Sequence, residues 1–100
     1  MKTWEMPKLN LRGSEKQVKW ATDIIADIYS TVNKNNKRAH DLSWPHADKL
    51  EEAFGKIIGQ LEVFLSTVDQ AGVIIAQREK FRGERILNLA NKYVNREALK

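Results

Sequence analysis

Arg78, Arg82, Arg85, Lys92 and Arg96 follow one another at steps of four, three, seven and four. Projected at 100° per residue, these five side chains share an arc of about 80°. A helix over this stretch would present them as one row, beside an apolar side carrying Ile86, Ala90 and Tyr93. Guanidinium is planar, permanently charged and forked, and it suits phosphates and carboxylates. The row therefore points to a nucleic-acid backbone or to an acidic protein surface. Lys34, Lys37 and Arg38 would extend it if the fold brings them near. The competing reading is a solvated face, or internal pairing with Glu51, Glu52 and Glu62.

Other chemistry is thinner. The two histidines, His40 and His46, stand near Asp41 and Asp48. Their spacing matches no established ligand pattern, and a metal site would need further ligands from elsewhere. Nothing resembles a nucleophile elbow or a glycine-rich phosphate loop. No cofactor, metal site or enzymatic activity is expected. Gly55-Lys56-Ile57-Ile58-Gly59 places two glycines at a spacing that lets a second backbone approach, or that a strongly packed helix simply tolerates. Trp20 lies off the apolar stripe of its helix. It would pack under the N-terminal arm against Trp4 or Pro7, or remain exposed as an anchor for a partner.

The elements that must position these groups are legible as helices. The chain has 100 residues, 42% hydrophobic and 30% charged, which suits one domain with a core rather than a disordered segment. Residues 1–13 form an irregular arm punctuated by Pro7 and Gly13, and residues 14–100 form a single helical domain. Ser14-Glu15-Lys16-Gln17 is a capping-box sequence. Val18, Ala21, Ile25, Ile28 and Val32 then continue at helical spacing, and the helix is expected to fade near Asn33 into a polar loop holding Lys34, Lys37 and Arg38. Ser43 would cap a second helix, whose Leu50, Phe54, Ile57, Leu61, Phe64 and Val68 alternate steps of four and three. Val73 to Ala76 fits strand or helix equally. A third helix is expected from about Ile74 to Arg96, bent near Gly83. The fold expected is all-α, a three-helix bundle behind a short arm, with a homo-oligomer as its structural rival.

Absence of cysteine fits a reducing cytoplasm. The apolar runs are far shorter than the roughly 20 residues that span a bilayer, and the first residues lack the apolar stretch of a secretory signal. No membrane association is expected, and the location expected is the cytoplasm. A net charge of +4 favours acidic partners mildly.

Leu11-Arg12-Gly13-Ser14-Glu15-Lys16-Gln17-Val18-Lys19-Trp20-Ala21 resembles the opening of small proteins of phages, plasmids and other bacterial mobile elements, which read Leu-x-Gly-Ser/Thr-Glu-Lys-Gln-x-x-Trp-Ala. Some of those carry a later Trp-rich segment ending in Ile-Asp-x-Arg. This chain keeps Ile75 and Arg78 there but has neither the Trp nor the Asp. The likeness covers about a third of the chain. Those proteins have no assigned activity, so no residue role is carried over. The resemblance implies a context: a stoichiometric binder of bacterial host machinery, such as an inhibitor of CRISPR nucleases or other defence systems. Its partner would be a host protein or a protein–nucleic-acid complex. Blocking a nucleic-acid site would use acidic residues, whereas engaging guide RNA or DNA would use a basic row like this one. A small nucleic-acid-binding protein using the last helix is the alternative.

Overall fold

Ser14 starts the first helix as its sequence predicts. In the computed structural model, which describes residues 1–98 with side chains through Arg96, its hydroxyl accepts from Gln17 N–H at 3.2 Å. The Gln17 side chain accepts from Ser14 N–H at 3.1 Å, completing the capping box. Gly13 precedes it with φ of 148°, a region that L-residues rarely adopt, and so turns the arm into the helix. Four α-helices follow: α1 Glu15–Asp41, α2 Ala47–Thr67, α3 Ala71–Ala76 and α4 Gly83–Ala98. A 3₁₀ turn, Arg78–Phe81, lies between the last two. Among the described residues there is no strand, only an isolated parallel bridge between Arg12 and Gln70. Leu99 and Lys100 of the expected helical domain lie outside the described residues.

Three expectations are corrected. The first helix does not fade at Asn33 but runs 27 residues to Asp41, so Lys34, Lys37 and Arg38 are helical. Asparagine is a weak helix former. Here the side-chain amides make tertiary hydrogen bonds that offset that weakness. Asn33 bonds the backbone of Trp4, and Asn36 bonds the Lys2 carbonyl and Glu51. Ser43 is not a cap either: α2 begins at Ala47, and both Ser43 and His46 take positive φ, at 51° and 66°, in a tight turn around Pro45.

The third correction concerns the last segment. Val73–Ala76 is helical, but residues 74–96 are not one helix. α3 stops at Ala76, a 3₁₀ turn follows, and Arg82 is extended (φ −62°, ψ 138°) before α4 starts at Gly83. Two packing demands explain the break. Ala71 lies against Gly13, just before α1, and Arg78 against Trp20 in its first half. Tyr93 by contrast reaches Glu52 at the start of α2. At Gly83, an added Cβ would stand 3.2 Å from the Thr31 side chain, so the chain crosses α1 closely at a glycine.

α2 runs antiparallel to α1, since Glu51 meets Asn36 and His40. α4 runs antiparallel to α2, pairing Phe81 with Phe64 (5.7 Å between ring centroids) near its start and Tyr93 with Glu52 near its end. The core lies between these three long helices and the short α3. Phe54, Ile25, Ile28, Ile58 and Ile74 are its largest fully buried apolar side chains. The arm closes one side of it. Trp4 is only 8% exposed, edge-on to Phe54 at 6.4 Å, and its ring covers Gly55.

Candidate functional site

The break in the last segment splits the basic row. Arg78, in the 3₁₀ turn, holds its guanidinium 5.4 Å over the Trp20 ring and donates to the Ile75 carbonyl at 3.0 Å. Trp20 is therefore capped by an arginine and is 49% exposed, not packed beneath the arm. Arg82 pairs with Glu79 at 3.3 Å in the extended link. Neither residue belongs to the face of α4.

Arg85, Lys92 and Arg96 stay together on α4, exposed and within about 40° of arc. Among the described residues, none of the three makes an ion pair with a carboxylate, and none turns onto Glu51. Glu51 has other partners: it accepts from Lys2 N–H at 2.5 Å and from Asn36 at 3.0 Å, with His40 Nε2 3.5 Å away. Those donors hold its carboxyl below the ordinary value, the Lys2 N–H most of all. His46 is exposed in the turn before α2. No group of three or more histidine or acidic side chains among the described residues could hold a metal.

Lys34, Lys37 and Arg38 are exposed on α1, and Lys37 pairs with Asp41. They do not extend the α4 row. The Gly83 side of α4 faces Thr31 of α1, whereas Lys92 lies nine residues on, about 180° around the helix. The surviving row points away from α1 and borders α2.

That border contains what the sequence reading missed. Three adjoining depressions meet at Leu89, which is 53% exposed and lies about 20° around α4 from Arg96. One runs between Ile57, Leu61 and Phe64 of α2 and Phe81 and Ile86. Another runs between Ala53 and Ile57 of α2 and Tyr93 of α4. The third opens on Arg85 and Asn88. Among the described residues, the charged ones that line them are Lys56, Lys80, Arg85, Lys92 and Arg96, all cations. Lys56 also lies 4.4 Å from the Tyr93 ring centroid, fixing both side chains at the rim. Glu52, nearby on α2, is occupied by the Tyr93 hydroxyl at 2.9 Å and by Lys49 at 3.9 Å.

A larger hollow of about 590 Å³ separates the arm from the end of α2. Its charged lining, Lys8, Glu62 and Asp69, mixes signs and favours no one class of ligand. The exposed Trp44 and Leu42 lie apart from both, in and beside the turn between α1 and α2.

No family model, curated protein or solved structure matches the chain. No helix among the described residues is long and apolar enough to cross a membrane.

Proposed function

We propose that this chain is a non-enzymatic binding protein of phage or mobile-element type, which regulates or inhibits a bacterial host protein by stoichiometric association in the cytoplasm. The face shared by α2 and α4 is the surface it presents. One observation carries this reading: Leu89, a half-exposed leucine, stands where three depressions meet inside a ring of cations. Apolar surface surrounded by charge is the usual anatomy of a protein interface, with a desolvated centre and a polar rim. The mobile-element resemblance of residues 11–21 supports the host context, including anti-defence activity.

The test is affinity capture from a bacterial lysate, read by mass spectrometry after nuclease treatment. The reading expects one dominant protein at near one-to-one ratio. Loss of every captured protein on nuclease treatment, or no stoichiometric protein without it, would refute it.

A second reading rests on the exposed row of Arg85, Lys92 and Arg96. These could contact successive phosphates of a nucleic acid. Binding would then weaken steeply with salt, log K falling by about 0.9 per phosphate against log salt on duplex DNA.

A further inference from the structure

The face between α2 and α4 has a chemistry specific enough to name its occupant. We infer that it receives an acidic amphipathic helix of the partner protein, one that places apolar side chains in the two depressions beside Leu89 and carboxylates against the cations around them. This inference deepens the proposed function and rests on it.

Size comes first. The two depressions between α2 and α4 measure about 220 and 260 Å³. Pockets for small ligands run from about 300 to 1,000 Å³ and enclose most of the ligand. These two are smaller and open to one side, and they suit individual side chains; the third, about 500 Å³, is an open hollow lined by Lys80, Arg85, Asn88, Leu89 and Lys92, with Leu89 its one apolar residue. Spacing comes next. Both share Ile57, Gln60 and Leu89, and their centres along α2 are offset by about four residues, roughly 6 Å at 1.5 Å per residue. That is close to one helical turn, the distance between side chains at i and i+4 of a docked helix.

Charge selects among the helices that would fit. Among the described residues, the charged side chains lining the three depressions are cations, and Lys80, Arg85, Lys92 and Arg96 supply the charge on the α4 side. A docked helix with Asp or Glu beside its apolar stripe meets complementary charge along its α4 flank, which speeds encounter and disfavours neutral or basic helices. A second copy of this chain would bring cation against cation across the same face. A nucleic-acid backbone would satisfy the cations but would gain nothing from burying Leu89, since such interfaces are strongly polar.

The experiment is a selection of displayed helical peptides against the intact protein. Leucine is fixed at i, i+4 and i+7, and the flanking positions are drawn evenly from Glu, Lys, Ser and Gln. The inference expects winners enriched in Glu that bind one-to-one. Leu89→Asp is expected to raise their Kd at least about tenfold with the helical circular-dichroism signal retained, and Leu89→Ser serves if the aspartate variant fails to fold. The charge-reversed protein Lys92→Glu/Arg96→Glu should lose these peptides and gain their Lys-flanked counterparts.

The inference is overturned by any of five results: no binders, winners without Glu enrichment, binding indifferent to position 89, self-association through this face in place of peptide binding, or displacement of the peptide by random-sequence duplex DNA. Lysate capture reads the parent proposal separately. A partner retained equally by wild type and Leu89→Asp would leave the binding function standing while removing this site.

Discussion

The side-chain amide of Asn33 closes a two-hydrogen-bond ring on the backbone of Trp4, accepting from its N–H at 2.9 Å and donating to its carbonyl at 2.8 Å. An extended residue thus finds on a helix surface the pairing that a neighbouring strand would otherwise supply. The ring seats the Trp4 indole against Phe54 and Gly55.

Asn33→Ala should therefore loosen the arm. Two partly buried hydrogen bonds are lost, and the expected destabilisation is about 1–3 kcal/mol. Asn33→Asp should be no better, because a carboxylate keeps the acceptor but sets an oxygen against the Trp4 carbonyl. Urea unfolding gives the energy. Hydrogen exchange at residues 2–6 reports whether the arm is released ahead of the helices.

Glu51 makes stability depend on pH in a direction fixed by its donors. Lys2 N–H and Asn36 hold its carboxyl below the ordinary value, with His40 and the N-terminal amine contributing less. A depressed folded value means the stabilisation is fully present above the unfolded value of about 4.3 and disappears as pH falls through the lower folded one. The gap in urea midpoint between wild type and Glu51→Gln should be widest near neutrality and close in acid. A gap that widens in acid would contradict this assignment.

Trp20 and Arg78 form an exposed pair whose coupling is measurable. Their geometry predicts about 0.5–1 kcal/mol in a double-mutant cycle of Trp20→Ala and Arg78→Ala. Independent, additive effects would mean that the stacking contributes nothing to stability.

Phe54 is fully buried at the meeting of arm, α1 and α2. Phe54→Ala should cost about 3–5 kcal/mol. Leu89→Asp, on a half-exposed position, should shift stability by less than about 1 kcal/mol. Thermal or urea unfolding of the two variants tests both statements together.

How much of this the sequence carries differs from element to element. Ser14 and Gln17 act within one turn of helix, so local pattern suffices to place the capping box. The apolar steps from Leu50 to Phe64 likewise declare α2. Asn33 and Asn36 mislead because their partners, Trp4, Lys2 and Glu51, lie 15 to 34 residues away and no local rule contains them. Arg82 and Gly83 mislead for a related reason: the arginine spacing suits a continuous helix, while packing against Thr31 and Trp20 demands a break. Of the basic row, Arg85, Lys92 and Arg96 stay aligned as their spacing expects, because one helix carries them. The sequence did not identify Lys56, Lys80 or the central Leu89, which join them only when α2 and α4 align. A faint signal did exist. Leu89 falls off the stripe set by Ile86, Ala90 and Tyr93, and a large apolar residue outside a helix's buried side is a candidate for contact with something else.

The central claim, that the cation-ringed surface around Leu89 is where a partner docks, is tested most directly by site-specific photo-crosslinking in bacterial cells. A photoreactive amino acid is placed at position 89 and, in separate variants, at the exposed positions 20 and 44. One discrete protein adduct is expected from position 89 and none from the other two. An adduct from position 20 or 44 with none from 89 would contradict it.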